Sequence, residues 1–161
     1  MNNTNSPLIS YQRISPNKTV PRNHPIDTIT IHCMAGDLSV ETCGGLFASA
    51  SRKASSNYGI GSDGRIALYV DEKDRSWCSS SKANDHRAVT IEVANDGGAP
   101  LWHVSEKAMA SLIDLTTDIC KRNQIRELIW KGDPSLIGQP ARQNMTVHRW
   151  FAKKACPRDY L

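Results

Sequence analysis

Apolar and polar side chains alternate over residues 26–33, in a run rich in β-branched residues. This period of two predicts a β-strand in which Ile29, Ile31 and Cys33 face one side and His32 faces the other. A histidine at the end of such a strand can project from the face of a sheet.

Further segments have the composition of strands. Residues 88–94 form a second β-branched run, and residues 57–70 contain an Asp-Gly turn signal between apolar stretches, which predicts a hairpin. Short apolar runs at 128–130 and 145–147 predict one more strand and the segment that leads into a later histidine.

Two helices are predicted where apolar residues recur at helical spacing behind a serine. Ser39 and Ser105 are the expected N-caps. The apolar faces are Val40, Cys43, Phe47 and Ala50 in the first helix, and Ala108, Leu112, Leu115 and Ile119 in the second. Because strands and helices interleave, we predict an α/β fold, a single domain with a central mixed β-sheet flanked by helices.

The length of 161 residues suits one domain with a sizeable core. Residues 1–25 contain four prolines, so we interpret them as an extended lead-in packed on a domain of residues 26–161. No apolar run approaches the ~20 residues of a membrane span, and the polar N-terminus has no apolar signal core. We therefore expect synthesis in the cytoplasm without a signal peptide, and no membrane partner.

The net charge is +4, with Lys and Arg scattered along the chain. The absence of a basic block argues against a nucleic-acid partner. A mild positive charge suits an anionic partner, and a solvated surface of slight excess charge explains it equally well. Of the five cysteines, Cys156 is a candidate metal ligand, and the other four, Cys33, Cys43, Cys78 and Cys120, lack the spacing of a disulfide framework, so we expect them to be buried free thiols. Nothing demands more than a monomer.

His32, His148 and Cys156 are the candidate metal ligands. Two histidines and one cysteine can hold Zn²⁺ and leave the fourth tetrahedral position open for water. Such an open site polarises a carbonyl and supplies hydroxide near neutral pH. Cys33 is not expected to join the set, since adjacent strand residues face opposite ways. The residues alone also admit a structural histidine and a buried cysteine without metal.

Glu92 and Lys154 are the other candidates for chemistry. A carboxylate inside an apolar strand is costly unless it is paired or functional, and facing a reactive water it could act as a general base. A solvated sheet face is the alternative for Glu92. Lys154 lies two residues before Cys156, and its alternative is an ordinary surface lysine.

These motifs, taken in order, resemble one family. The chain is similar to the zinc-dependent N-acetylmuramoyl-L-alanine amidases of the amidase-2 type, which share a fold with peptidoglycan recognition proteins, and in particular to the catalytic domains of phage endolysins and Gram-positive autolysins. The resemblance covers about residues 26–161. The matching segments are 29–33, 55–66, Trp77, Asn84, 89–95 and 147–157.

The resemblance implies hydrolysis of the bond between N-acetylmuramic acid and L-alanine in bacterial peptidoglycan. It implies Zn²⁺ held by His32, His148 and Cys156, with Glu92 as general base and then acid. It also implies that Lys154 stabilises the oxyanion. The expected place of action is the bacterial cell wall.

The resemblance also points to substrate contacts. Asn57, Trp77 and Asn84 match positions that line the groove of family members, and each can equally be structural. Many relatives have Trp-His where this chain has Trp77-Cys78, and the tyrosine that some relatives have before the asparagine is Ser56 here.

Two other functions fit the same resemblance. One is a peptidoglycan-binding module that does not cut, although such modules often lack the cysteine that is present here. The other is a recycling amidase for soluble muropeptides. A nucleic-acid protein with a structural zinc would need four ligands and clustered basic residues, and neither is evident.

Overall fold

The computed structural model describes residues 4–161. Its strands are β1 (Tyr11–Gln12), β2 (Lys18–Thr19), β3 (Thr28–Cys33), β4 (Tyr58–Ile60), β5 (Ile66–Leu68), β6 (Arg75–Ser76), β7 (Ala88–Val93) and β8 (Met145–Val147). Six of them form one sheet in the order β1-β5-β4-β7-β3-β8, and β2 pairs with β6.

The large sheet is mixed. Its neighbouring strands run parallel except β4 and β5, which form the predicted antiparallel hairpin. The helices are α1 (Val40–Ala48), α2 (Lys82–Arg87) and α3 (Glu106–Arg122). The predicted fold class, a single domain with a mixed sheet between helices, is confirmed.

Helix α3 covers one face of the sheet. The Ser105 side chain caps it by accepting a hydrogen bond from the Ala108 N–H, as predicted. Its apolar stripe packs against the side chains that β3, β4, β5 and β7 direct to this face, among them Ile29, Tyr58 and Ile91. Each fully buried aliphatic side chain contributes roughly 1.5–3 kcal/mol relative to exposure, so this interface is the main core.

Helix α1 covers part of the opposite face, with Ser39 as its N-cap. Phe47 packs edge-on against the ring of Tyr69, with the ring centroids 5.6 Å apart. The Tyr69 ring lies so close to β4 that a Cβ at Gly59 would come within 2.5 Å of it. Gly59 therefore allows the close contact between ring and strand, and α1 leaves the ends of β3 and β7 uncovered.

The lead-in lies against the sheet. Strand β1 pairs with β5, and the Ser6 N–H donates to the Tyr58 hydroxyl at 2.8 Å. None of the five cysteines forms a disulfide; Cys33 and Cys43 are buried, and Cys78 and Cys120 are partly exposed. Within residues 4–161, no helix combines the length and hydropathy needed to cross a membrane.

The strand predicted at 128–130 is wrong. The Ile129 N–H donates to the Asn144 side-chain oxygen at 2.7 Å, and the Ile129 carbonyl accepts from the Asn144 N–H at 3.1 Å. Both main-chain groups of Ile129 are therefore hydrogen-bonded to Asn144, and neither pairs with a neighbouring strand. Trp130 is 46% exposed and stacks on Trp150 with ring centroids 5.1 Å apart.

Candidate functional site

The site forms where the parallel strands β3 and β7 end. His32 and Glu92 are paired in register across these strands. Because alternate strand residues face opposite sides, both side chains leave the face that α3 does not cover. His32 is fully buried, and Glu92 is partly exposed to a cleft.

Strand β8 brings the second histidine to the first. Ile31 pairs with Val147, so His148 follows directly beside the end of β3. A short 3-10 helix then turns the chain back, and the Arg149 N–H donates to the Cys156 carbonyl at 3.1 Å. This bond closes the loop between His148 and Cys156.

The structure brings His32, His148 and Cys156 together. One potential ligand atom from each lies within 4.8 Å of the other two. The His32 Nδ1 is 3.5 Å from the Cys156 Sγ, and the two imidazole rings have centroids 5.0 Å apart. Ser80 Oγ is hydrogen-bonded to His148 Nε2 at 3.1 Å, which orients that ring.

The chemistry of these donors fits a metal ion. Burial, and to a lesser extent His148, lowers the pKa of His32 to about 3, and burial and Lys154 lower the pKa of His148. Both imidazoles are therefore neutral at pH 7, the form that binds a metal. His32 Nε2 is buried without a hydrogen-bond partner among the described residues. Two nitrogens and one sulfur match the ligand set of an open zinc site.

Cys33 lies closer to the three candidate metal ligands than its position on the strand suggested. Its main-chain N–H donates to the Cys156 Sγ at 3.3 Å. Hydrogen bonding with Cys156 also lowers the pKa of the Cys33 thiol to about 6, and the same interaction raises the pKa of Cys156. No sequence pattern indicates this contact, since it depends on the return of the C-terminal loop to β3.

Glu92 lies beside the three donors. With His32 and Cys78 it forms a second group whose potential ligand atoms lie within 4.8 Å of one another. Its Oε1 is 3.9 Å from the Cys78 thiol, a possible weak donor, and its Oε2 has no hydrogen-bond partner among the described residues. Burial raises the pKa of Glu92 to about 8, with a further contribution from Cys33. A bound cation would favour the ionised form.

A cleft of about 1050 Å³ opens over these groups. Lys154 and Trp77 contribute to its wall, as do His148, Cys156 and Glu92. The indole Nε1 of Trp77 donates to Thr19 Oγ1 at 3.0 Å, which fixes the ring in the wall. A large aromatic side chain and a lysine therefore lie in the same cleft wall as two of the three donors, His148 and Cys156.

Asn57 and Asn84 are not part of this wall. Asn57 is fully buried: its Nδ2 donates to the Val70 and Asp71 carbonyls, and its Oδ1 accepts from the Thr90 N–H. The structure thus gives Asn57 a role in joining neighbouring segments of the sheet.

The side-chain amide of Asn84 is likewise hydrogen-bonded to other residues inside the protein. Its Nδ2 donates to Thr30 Oγ1 at 3.0 Å and its Oδ1 accepts from Thr146 Oγ1 at 2.9 Å. Asn84 thereby links α2 to β3 and β8, beneath the site. No sequence pattern could show that these two amides are already hydrogen-bonded, because their partners are distant along the chain.

Comparison with known proteins gives one family. The family model described as N-acetylmuramoyl-L-alanine amidase matches residues 22–159. A search of curated proteins finds no match.

Solved structures share the fold at low sequence identity. A selenomethionine derivative of AmpD has a TM-score of 0.73 at 18% identity, covering 97% of this chain and 90% of that one. The endolysin N-acetylmuramoyl-L-alanine amidase LysCS from Clostridium intestinale has 0.68 at 15%, covering 98% and 91%. The Drosophila peptidoglycan recognition protein SA has 0.59 at 14%, covering 87% and 75%.

Proposed function

Because this chain belongs to the N-acetylmuramoyl-L-alanine amidase family, we propose that it hydrolyses the amide bond between N-acetylmuramic acid and L-alanine in the peptidoglycan of bacterial cell walls. The observation that carries the proposal is that His32, His148 and Cys156 lie together, next to a cleft lined by His148, Cys156 and Glu92. A family match alone would also suit a protein that had lost its chemistry, whereas three candidate ligands and a carboxyl group lie close together here.

His32, His148 and Cys156 are the residues that would hold Zn²⁺. When bound, the ion supplies Lewis-acid chemistry, polarising a carbonyl oxygen and lowering the pKa of a water molecule. The neutral imidazoles need no deprotonation to serve as ligands, and the Cys33 N–H stabilises negative charge on the Cys156 sulfur.

Glu92 is the proposed proton carrier. Glu92 lines the cleft, and its one side-chain contact within the described residues is the weak one with Cys78, so its carboxylate can take a proton from the attacking water. The same carboxyl group then passes that proton to the nitrogen of the departing L-alanine. The Cys78 thiol lies 3.9 Å from Oε1, and this weak contact helps to orient the carboxyl group.

Lys154 is the proposed stabiliser of the negative charge that develops on the carbonyl oxygen of the substrate. It lies in the cleft wall with His148, and its positive charge contributes to the lowered pKa of His148. A cation at this place favours the transition state because the oxygen there carries more charge than in the ground state. Trp77 offers an aromatic face for a sugar or peptide group.

Purified cell walls test this function. The zinc-loaded protein should clear a wall suspension and expose new N-terminal L-alanine amino groups, a chelator should stop both, and added zinc should restore both. Release of reducing sugar without new alanine amino groups would contradict an amidase. Tight wall binding without any release would instead favour the binding module, and release only from soluble muropeptides would favour the recycling enzyme.

A further inference from the structure

The cleft concentrates positive charge. Five cations contribute to its wall, against two acidic residues. Of these acids, Glu92 lies beside His32, one of the three candidate metal ligands. The other, Asp85, is occupied, because its carboxylate accepts hydrogen bonds from the main-chain N–H groups of Cys78 and Ser79. The cations are Arg52, Lys53, Arg75, Lys82 and Lys154.

Arg75 differs from the other four because it is buried. Its relative exposure is 7%, and its Nε is buried without a hydrogen-bond partner among the described residues. Its only side-chain hydrogen bond within residues 4–161 runs from Nη2 to the Thr19 hydroxyl. None of the ion pairs formed in that part of the chain includes Arg75.

Asp85 interacts electrostatically with Arg75, although the two side chains form no ion pair within residues 4–161. A buried guanidinium whose one hydrogen-bond partner is neutral still gains from an anion that bonds to it directly. Arg75 and Trp77 are neighbours in the cleft wall, with the guanidinium carbon 5.9 Å from the centre of the indole ring. The planar fork of arginine matches a carboxylate and gains two parallel charge-assisted hydrogen bonds from it. The free donors of Arg75 therefore suit a carboxylate better than a sugar hydroxyl or an amide.

We propose that Arg75 is the centre of a carboxylate subsite for the peptide part of the substrate, and that the protein prefers stem peptides with free carboxylates over amidated ones. The inference rests on the proposed function for the identity of the ligand. Arg75 acts here as a specificity-determining residue and takes no part in the chemical step.

Binding without turnover tests the subsite. Calorimetry on the zinc-loaded Glu92→Gln protein would compare a soluble muramoyl pentapeptide whose stem carboxylates are free with the same compound whose carboxylates are amidated. We expect the free form to bind at least about tenfold more tightly, with a preference that shrinks as salt is raised. Equal affinity for the two peptides overturns the subsite and needs no arginine variant.

Arg75→Gln on the same background should abolish the preference, because it weakens binding of the peptide with free carboxylates and leaves binding of the amidated peptide unchanged. The control is Arg142→Gln, an equal change of charge at an exposed residue outside the cleft, which should keep the preference. If the preference for free carboxylates persists in Arg75→Gln, it arises from another cation, and the proposed role of Arg75 is wrong. If Arg75→Gln does not fold, Arg75→Lys decides, because it keeps the charge and loses the bidentate fork.

The two proposals can fail separately. If walls are not hydrolysed while the Arg75-dependent preference persists, the protein binds peptidoglycan through this subsite and is not an amidase. If walls are hydrolysed and no preference is found, the amidase assignment holds and the subsite is wrong.

Discussion

His32 and Glu92 are paired residues on parallel strands, and their side chains leave the same face of the sheet. The strand ladder thus sets the separation of a candidate metal-ligating imidazole from a carboxyl group without any flexible loop between them. Chemical groups placed on adjacent strands are held more rigidly than groups on loops. The first predictions concern this pair.

Glu92→Gln removes the proposed proton carrier and keeps the size of the side chain. We expect hydrolysis of walls to fall at least a hundredfold, in line with the usual contribution of general acid–base catalysis. Zinc content, measured by atomic emission, should not change. Glu127→Gln, an exposed residue outside the cleft, is the matched control. Activity near the wild-type value in Glu92→Gln would remove Glu92 from the mechanism.

Cys156→Ser should reduce the zinc retained after dialysis, because a neutral hydroxyl is a far poorer ligand than a thiolate. Cys120→Ser changes a partly buried thiol that is not among the grouped potential ligands, and it should retain one zinc per chain. Atomic emission on both proteins provides the comparison. Equal zinc in the two variants would show that Cys156 is not a ligand.

The stability of the metal-free protein should depend on pH through Glu92. Burial raises the pKa of this residue from 4.5 to about 8. Between these values the folded protein keeps a proton that the unfolded chain has released, so the free energy of unfolding falls as the pH rises. Glu92→Gln cannot titrate and should lack this decrease.

Urea unfolding in the presence of a chelator measures this effect. The wild-type protein should lose stability relative to Glu92→Gln as the pH rises from about 4.5 to 8, and the contributions of the histidines cancel in the comparison. A stability difference between the two proteins that does not vary with pH would contradict the raised pKa.

Asn57→Ala should act on stability and not on substrate binding. The change leaves the buried Thr90 N–H and the Val70 carbonyl without this partner, whereas the Asp71 carbonyl still accepts from the Asp74 N–H. Each buried unsatisfied group costs roughly 1–3 kcal/mol. We expect a loss of at least about 2 kcal/mol in the free energy of unfolding, measured with urea. The KM of the folded variant should stay within about twofold of wild type. A raised KM with unchanged stability would instead place Asn57 in the groove.

Local pattern was enough to predict the elements that carry the core. The alternation around His32 and the serine caps of α1 and α3 depend on neighbours within a few residues, and all three predictions are confirmed. Strands β1, β2 and β6 have two residues each, too short for a period to show. Their pairing is decided by distant partners.

In the candidate site, too, local residue types could be interpreted from the sequence, whereas contacts between distant residues could not. The residue types of His32, His148 and Cys156 suggested a metal set, and the structure brings them together. The hydrogen-bond partners of a side chain are set by tertiary packing. For that reason the sequence could not show that Asn57 is occupied within the sheet or that Arg75 lacks a carboxylate partner.

The two edges of the large sheet are β1, with two residues, and β8, with three. Short edge strands offer few free main-chain groups to a neighbouring molecule, so they limit self-association through strand pairing. The family match starts at residue 22, after β1. A shortened protein designed on that boundary would expose the main-chain groups of β5 and would be more prone to aggregate, so expression and purification should retain the residues that form β1.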